Sequence, residues 1–328
     1  MKYRLLGASE IKVSEIGFGG WAIGGAVDFS GVPVGWSDVD VEQSRRALER
    51  AFDLGVNFFD TADIYGLGRS EELIGQVFAG HRDQVVLATK AGIVRTPDGG
   101  HRKDFSPAHL RSALDRSLRR LQTDYVDVFQ LHNPPADVLA QGEVTRTLED
   151  LQREGKTRLF GVSVTQIDEG LTAIDSGHAQ VLQVLYNILN QKPDDRLLPY
   201  SLKKGIGIIA RVPLASGVLT GKMNRQTQFP ADDIRRNFLT PKRLGEAIDI
   251  VEEVRRLLVG TQVTLAQAAL RFVLANPAVS VVIPGAKNPQ QVEENISASE
   301  ARLSPDIVSI LHERFRHYNF YLRYNIPV

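Results

Sequence analysis

The chain has 328 residues, of which 43% are hydrophobic and 24% charged, which is the composition of a folded globular protein of one large domain or two average ones. Lysine plus arginine equals aspartate plus glutamate, at 39 each, so the formal charge is zero and neither a nucleic-acid nor a membrane-surface partner is indicated. There is no cysteine, which excludes disulfides and thiolate metal sites. The sequence has neither a secretory signal nor an apolar run of ~18 residues, so we expect a cytoplasmic protein.

Short apolar runs rich in valine, isoleucine and phenylalanine recur along the chain, after an N-terminal stretch that we predict to be a β-hairpin. Most of these runs are apolar on both faces, which is the pattern of parallel strands covered by helices. In chain order they occupy residues 14–20, 57–62, 85–92, 126–133, 158–164, 181–187, 207–214 and 279–286.

Amphipathic segments separate these predicted strands, so strand and helix alternate. The segment VEQSRRALERAFDLG carries apolar residues at helical spacing and ends at Gly55, a residue suited to a helix C-terminus. The segment SPAHLRSALDRSLRRLQ begins with Ser106 as the predicted N-cap and has Pro107 at the first helical position. Eight strand–helix units predict an α/β fold, a (β/α)8 TIM barrel with an N-terminal β-hairpin and an extra C-terminal helix or tail.

The alternative architecture is a doubly wound sheet, whose fingerprint is GxGxxG between the first strand and the first helix. The segment GFGGWA at 17–22 has the first two glycines but not the third, and we expect no helix to begin there. No linker or change of composition divides the chain, so we predict a single barrel domain over 1–328. Two long polar insertions, 21–38 after the first strand and 219–242 after the seventh, are candidates for lids or binding loops.

Ionisable side chains stand at the ends of three consecutive predicted strands. The second strand ends at Asp60, with Tyr65 shortly after it, the third ends in Lys90 and the fourth in His132. Function in a barrel gathers at the C-terminal ends of the strands, so we expect these groups to share one mouth. Each alone has a structural alternative: a turn cap for Asp60, a core aromatic for Tyr65, a loop histidine for His132. Four such groups at neighbouring strand ends favour a site.

These side chains allow proton transfer to a carbonyl oxygen. A phenol has an unperturbed pKa of about 10, and a lysine ammonium beside Tyr65 is expected to lower that pKa. Asp60 is expected to hold Lys90 charged, and a neutral His132 can donate a hydrogen bond to the carbonyl. The sequence has no cysteine, no GxSxG and no metal-ligand cluster. We therefore infer that the attacking group is a hydride from a nicotinamide cofactor.

Motifs along essentially the whole chain resemble those of the aldo-keto reductases. The matching segments are GFGGWAIGG, FFDTADIYGLGRSEELIG, LATKAG, SLRRLQTDYVDVFQLHNP, GKTRLFGVSV, PLASGVLTGK and IPGAKNPQQVEEN. The chain is similar to the bacterial long-chain type, such as the general-stress and inositol-operon-like reductases. The resemblance implies NAD(P)H-dependent reduction of aldehydes or ketones, or the reverse reaction on alcohols or sugars, with Tyr65 as general acid.

The resemblance also implies roles for individual residues. The catalytic tetrad corresponds to Asp60, Tyr65, Lys90 and His132. The contacts to the cofactor correspond to Ser163 and Gln183 at the nicotinamide carboxamide and, along two later segments, to Pro213, Leu214, Gly217, Gly285, Lys287, Gln291, Glu294 and Asn295. Asn133 is expected beside the carboxamide and the substrate. Trp21 is expected to contact the substrate, although a packing role fits it equally well.

Two positions depart from the family pattern. Arg211 stands where many members carry an aromatic side chain that stacks on the nicotinamide, and a guanidinium can also lie flat on a ring. Gln291 stands where some members place an arginine that grips the 2′-phosphate, while Lys287 is expected to face that phosphate. The implied cofactor is therefore NADP(H), with NAD(H) as the alternative.

Three functional hypotheses follow: a carbonyl reductase, a cofactor-binding regulatory or sensing subunit of the same fold with little turnover, and a barrel enzyme that uses a phosphate site for unrelated chemistry. The intact tetrad disfavours the third, and the start MKYRLLG, directly at the predicted barrel, disfavours the second. The expected partner is a small carbonyl compound or sugar. The physiological substrate and the oligomeric state stay open, and a monomer is compatible with the sequence.

Overall fold

The strands are short and regularly spaced along the chain. The computed structural model describes residues 1–140 and 142–323. In chain order the strands are β1 (Tyr3–Leu5), β2 (Lys12–Ser14), β3 (Phe18–Gly19), β4 (Val27–Phe29), β5 (Val32–Val34), β6 (Phe58–Asp60), β7 (Val86–Ala91), β8 (Ile93–Arg95), β9 (His101–Lys103), β10 (Val126–His132), β11 (Thr157–Val164), β12 (Val181–Leu185), β13 (Gly207–Arg211) and β14 (Val279–Val282). The eight parallel ones overlap the eight apolar runs of the sequence.

Those eight parallel strands form the central sheet, in the order β3–β6–β7–β10–β11–β12–β13–β14. Isolated bridges from Ile16 to Val282 and from Gly19 to Gly285 join the first strand to the last, which closes the sheet into a ring. The predicted (β/α)8 barrel with its N-terminal hairpin is therefore confirmed. Continuous apolar runs form such strands because both faces of each strand are buried.

Helices cover the outside of the barrel. They are α1 (Trp21–Gly24), α2 (Val41–Asp53), α3 (Arg69–Phe78), α4 (Pro107–Leu121), α5 (Ala136–Leu139), α6 (Gly142–Arg153), α7 (Ile167–Asp175), α8 (Leu197–Lys203), α9 (Arg235–Phe238), α10 (Pro241–Leu257), α11 (Leu265–Ala275), α12 (Pro289–Ile296), α13 (Pro305–Phe315) and α14 (Phe320–Arg323). As predicted, Ser106 caps α4 and Pro107 is its first residue, while Gly55 follows α2 with a φ of 86°.

The segment after the first barrel strand differs from its prediction. The four-residue helix α1 begins directly after β3, where no helix was expected, and it buries Ala22 and Ile23. Burial of these two side chains accounts for the turn, because the segment has neither a capping side chain nor the length that a sequence pattern needs.

The N-terminal hairpin closes one end of the barrel. β1 pairs with β2 in antiparallel fashion, and the apolar residues Leu6, Ile11 and Val13 of this hairpin are buried. They pack with the barrel-strand residues Phe58, Val86, Ala88, Val128, Val181, Ile209 and Val281 in a cluster separate from the main core. Full burial of a large aliphatic or aromatic side chain stabilises the fold by roughly 1.5–3 kcal/mol. This end of the barrel is therefore apolar, which leaves the opposite end for polar groups.

Three excursions lie over that opposite end. β4 and β5 form a hairpin within the insertion 21–38. β8 and β9 form a second hairpin after β7, and the sequence did not indicate this second one. The two hairpins touch through the rings of Phe29 and His101, whose centroids are 5.6 Å apart. The third excursion is the insertion 219–242, which contains α9. Among the helices of the described residues, none is long and apolar enough to cross a membrane.

Candidate active site

The alternation of side chains along the barrel strands directs the predicted site residues inward. Side chains two positions apart in a strand share a face. Phe58 packs in the interior cluster and Asp60 follows it by two, as Lys90 follows Ala88 and Gln183 follows Val181. The same spacing relates Val128 to Gln130 and then His132, Leu159 to Gly161 and Ser163, and Ile209 to Arg211. Six of the eight barrel strands, β6, β7 and β10–β13, thus place a polar side chain above an apolar floor.

Lys90 and Asp60 form a buried ion pair. Lys90 Nζ donates to Asp60 Oδ2 at 2.6 Å and to the carbonyl oxygen of Thr61 at 2.8 Å. The side chain of Lys90 is 0% exposed and that of Asp60 is 3% exposed. A charge buried this deeply requires a partner, since an unpaired ammonium or carboxylate loses its hydration without compensation. The pair therefore holds the ammonium in a fixed position.

The other oxygen of Asp60 accepts hydrogen bonds from two glutamine amides. Gln183 Nε2 lies at 2.7 Å from Asp60 Oδ1, and Gln130 Nε2 lies at 3.3 Å from the same atom. Gln130 is absent from the sequence-based site prediction, although it stands on β10 two positions before His132. Gln183 was expected at the nicotinamide carboxamide. Its amide nitrogen donates its hydrogen bond to Asp60 in this structure.

Tyr65 begins the tight turn Tyr65–Gly68 after β6, and its ring lies among polar and aromatic neighbours. The ring stacks on that of Trp21 with centroids 6.2 Å apart, it meets the ring of His132 edge-on at 5.8 Å, and Lys90 Nζ lies 5.0 Å from its centroid. The residue is partly exposed, and it lines the cavity described below.

The pKa of the Tyr65 phenol corrects an expectation from the sequence. Burial raises this pKa above its ordinary value of 10.0, and the charge and hydrogen bond of Lys90 only oppose that rise. We expected Lys90 to lower the pKa overall, but desolvation of the phenolate outweighs the ammonium. The phenol consequently carries its proton at neutral pH, as a proton donor must.

His132 is a neutral imidazole in this site. Burial holds its pKa well below 6.5, and the positive charges of Lys90 and Arg211 lower the pKa further. Its Nδ1 is buried and has no hydrogen-bond partner among the described residues. A neutral ring with a vacant polar atom can orient a polar ligand group without contributing charge.

Asp63, the second carboxylate of the motif FFDTADIYG, does not line the cavity described below. Burial, assisted by the nearby charge of Glu71, raises the pKa of Asp63 to about 8. Its backbone nitrogen donates to the carbonyl oxygen of Lys90 at 3.0 Å, which ties the turn to β7. Asp63 therefore belongs to the scaffold of the turn that carries Tyr65.

A cavity of about 850 Å³ opens above the barrel strands. Of the residues predicted for the site, all but Lys90 line it, and Lys90 lies buried beneath Tyr65. The lining includes Trp21, Asp60, Tyr65, His132, Asn133, Ser163, Gln183, Arg211, Pro213, Leu214, Gly217, Gly285, Lys287, Gln291, Glu294 and Asn295. The cavity therefore connects the tetrad, through the strand ends of β11–β13, to the beginning of α12.

The middle of the cavity contains Ser163 and Arg211. Ser163 Oγ donates to Asn133 Oδ1 at 3.2 Å. Arg211 is buried, its Nη2 donates to the carbonyl oxygen of Val164 at 3.1 Å, and its Nε has no partner among the described residues. A buried guanidinium with an unused donor suits a polar or aromatic ligand group.

The far end of the cavity lies at the N-terminus of α12. Lys287 Nζ donates to the carbonyl oxygen of Ser37 at 2.5 Å, and the backbone nitrogen of Lys287 donates to Gln291 Oε1 at 2.8 Å. Glu294 forms an ion pair with Lys222 of the 219–242 insertion at 2.8 Å. The positive end of the helix dipole and the ammonium of Lys287 together favour an anionic ligand group here.

Arg235 and Trp36, on the two long insertions, also line this end but are absent from the sequence-based site prediction. The Arg235 guanidinium lies 4.2 Å from the ring centroid of Trp36 and forms an ion pair with Asp233 at 2.7 Å. Asp233 Oδ2 also accepts from Ser37 Oγ at 3.2 Å. The insertions thus meet each other over the cavity, and their length and polarity were the signal available in the sequence.

The donor set fits an elongated dinucleotide cofactor. The cavity offers an unpaired polar atom of His132 beside Tyr65, one of Arg211 in its middle, and the cations Lys287 and Arg235 at its far end. Within the described residues, there is no group of three or more histidine and acidic side chains arranged to hold a metal ion. The arrangement provides a proton donor, a fixed ammonium beside it and an anion-binding end within one cavity.

A family model and individual known proteins match this chain over most of its length. The sequence model described as the Aldo/keto reductase family matches residues 15–314. The chain is 30% identical over 325 residues to the NADH-specific methylglyoxal reductase of Escherichia coli, covering 95% of this chain and 98% of that protein. It is 35% identical over 315 residues to a probable voltage-gated potassium channel subunit beta of Arabidopsis thaliana, covering 91% of each.

A solved structure agrees with these matches. The aldo/keto reductase of Klebsiella pneumoniae in complex with NADP and acetate superposes with a TM-score of 0.71 and 27% sequence identity. The superposition covers 96% of this chain and 96% of that one.

Proposed function

The chain belongs to the aldo/keto reductase family, and from that premise we propose that it reduces aldehydes or ketones to alcohols with NADP(H) in preference to NAD(H), and can run in reverse on alcohols or sugars. The observation that carries the proposal is the buried Asp60–Lys90 pair at 2.6 Å beside the protonated phenol of Tyr65. Asp60 and Tyr65 line a cavity of about 850 Å³ that extends to the N-terminus of α12.

The proposed roles of the tetrad follow from the contacts of each side chain. When bound, a nicotinamide cofactor supplies the hydride. Tyr65 donates its proton to the carbonyl oxygen, and Lys90, held by Asp60, stabilises the phenolate that remains. His132, neutral because of its burial, orients the carbonyl through a hydrogen bond.

The proposed cofactor site follows the cavity from β11 to α12. Ser163, Gln183 and Asn133 would hold the nicotinamide carboxamide, with Arg211 against the ring. Further along, the segments with Pro213, Leu214 and Gly217 and with Gly285, Gln291, Glu294 and Asn295 would hold the pyrophosphate and adenosine. Trp21, which stacks on Tyr65, would contact the substrate. Lys287 would read the 2′-phosphate, since it directly precedes the N-cap of α12 and lines the cavity there.

The substitution Lys287→Ala tests the cofactor preference. A charge-assisted hydrogen bond contributes about 1.5–3 kcal/mol, so NADPH binding should weaken by roughly 10-fold or more. NADH lacks the 2′-phosphate, so its Kd should stay within twofold of the unaltered protein. Titration of protein fluorescence with each cofactor measures both values, and Lys204→Ala, which removes an ammonium from the protein surface, is the matched control. Equal losses for both cofactors would show that Lys287 does not read the phosphate.

The relatives make this test necessary. One is named as NADH-specific, and another was solved with NADP. Lys287 Nζ already donates to the carbonyl of Ser37, and Arg235 is paired with Asp233. A 2′-phosphate must therefore share each cation with its present partner or displace that partner. The measured ratio of the Kd values for NADPH and NADH decides the preference.

A regulatory subunit is the second candidate, because the Arabidopsis thaliana relative carries a channel-subunit name. The discriminating experiment follows NADPH and NADH oxidation with methylglyoxal, aliphatic and aromatic aldehydes, ketones and aldoses, and then cofactor reduction with the corresponding alcohols. We expect steady turnover of at least one carbonyl class. Tight cofactor binding with at most a single turnover on the whole panel would instead support the regulatory subunit.

A further inference from the structure

The end of the described chain packs against the proposed cofactor site. Tyr321 in α14 is 2% exposed, and its hydroxyl lies 3.0 Å from Ser216 Oγ, a side chain that lines the cavity. The two residues are 105 positions apart in the sequence. Burial raises the pKa of Tyr321, so its hydroxyl keeps its proton, and Arg211 is one of the charges that act on it.

Ser216 belongs to a segment with unusual backbone geometry. Val212, Ala215 and Ser216 have φ values of 54°, 48° and 57°, in the left-handed region that side chains other than glycine rarely adopt. Such conformations persist only when surrounding contacts determine them, and they gather at functional sites. Here Asn187 Nδ2 donates to the carbonyl oxygen of Val212 at 2.8 Å, and Tyr321 bonds Ser216.

The C-terminal segment is anchored close to the same place. The backbone nitrogen of Phe320 donates to the carbonyl oxygen of Leu189 at 2.8 Å, and Arg316 forms an ion pair with Asp195 at 2.8 Å. His312 on α13 contacts Asp194 at 2.8 Å. These contacts hold α13 and α14 against the loop after β12. They therefore fix the position from which the side chain of Tyr321 contacts Ser216.

We propose that Tyr321 is a positioning residue for the cofactor site, whose hydroxyl holds Ser216 and the segment 212–217 in the shape that receives the cofactor. The inference rests on the proposed function, because it takes this segment as part of the cofactor site. Tyr321 does not line the cavity itself, so it acts through Ser216 and not by touching a ligand.

The substitution Tyr321→Phe tests the proposal, since it removes the hydroxyl and keeps the buried ring. One hydrogen bond to a pre-shaped segment corresponds to a change of about 3- to 10-fold in Kd. We expect the Kd for NADPH to rise by that factor while kcat at saturating cofactor stays within twofold, because the tetrad is untouched. The melting temperature should change little, and Tyr200→Phe, which removes a surface hydroxyl bonded to Asp175, should leave the Kd unchanged.

Ser216→Ala distinguishes positioning from general support of the fold. If the two hydroxyls act as one unit, Ser216→Ala should raise the Kd similarly and the double variant should be no worse than either single one. Additive losses, or a fall in melting temperature with an unchanged Kd, would overturn the inference. Binding is read from fluorescence without turnover. A failure of the unaltered protein to bind NADPH or NADH would refute the proposed function and this inference with it, whereas normal binding by Tyr321→Phe would refute this inference alone.

Discussion

Tyr65→Phe is expected to lower kcat for carbonyl reduction by roughly 10²–10⁴-fold, which is the usual contribution of general acid–base catalysis. The change deletes the transferable proton but keeps the ring. The ring therefore retains its contacts with Trp21 and His132, whose ring centroids lie 6.2 Å and 5.8 Å from its own. Cofactor Kd and melting temperature should therefore stay close to those of the unaltered protein. Steady-state kinetics on a good aldehyde, with cofactor titration and thermal melting, measure all three quantities.

Two controls sharpen this measurement. Tyr3→Phe removes a surface hydroxyl that donates to the carbonyl oxygen of Gly55 and should leave kcat unchanged. A primary isotope effect with the deuterated cofactor shows whether the chemical step limits the rate. If that effect is present and Tyr65→Phe retains near-normal kcat, then Tyr65 is a core aromatic and the proton comes from another group.

Lys90→Met is expected to reduce both turnover and stability, because it breaks a buried ion pair. Removing one partner of such a pair typically costs about 3–5 kcal/mol in the free energy of unfolding, since the remaining charge is left buried. Asp60 would keep only the amides of Gln183 and Gln130 as hydrogen-bond donors. Loss of the ammonium also removes the larger of the two charges, Lys90 and Arg211, that oppose the rise in the pKa of Tyr65. Urea denaturation and kcat on the same aldehyde measure the two effects.

Companion variants separate the two losses in Lys90→Met. Adding Asp60→Asn neutralises the orphaned carboxylate, so the double variant should recover part of the free energy of unfolding without recovering turnover. Lys156→Met breaks an ion pair with Asp115 at the surface, which should change stability by no more than ~1 kcal/mol. Turnover that returns with stability in the Asp60→Asn, Lys90→Met double variant would mean that Lys90 serves only the fold.

A third combination tests whether Tyr65 and Lys90 act as one proton-transfer unit. Effects of residues that act as a unit are not additive, so Tyr65→Phe combined with Lys90→Met should have a kcat close to that of Tyr65→Phe alone. A product of the two separate losses would indicate that Lys90 contributes to catalysis independently of the phenol.

The barrel and the positions of its polar strand ends were predictable from the sequence, because both depend on local pattern. Strands that are apolar on both faces need cover on both, which helices give outside the barrel and the side chains of the other strands give inside it. The period of two along a strand sends Asp60, Lys90 and His132 inward once Phe58, Ala88 and Val128 face the interior. The order of strands then brings these ends together, since consecutive β/α units lie side by side in a barrel. The same logic would have found Gln130, which has an inward position on β10.

Tertiary structure alone decided the contacts between distant loops and the balance of forces on the ionisable groups. Two contacts join segments that are distant in the sequence: the hydroxyl pair of Tyr321 and Ser216, and the contact of Arg235 with Trp36. The local sequence pattern of one segment does not indicate its contact with the other. The pKa of Tyr65 is raised where its lysine neighbour suggested a fall, because desolvation depends on everything that packs around the hydroxyl. Local sequence determines which way a side chain points, whereas burial and long-range pairing depend on the complete fold.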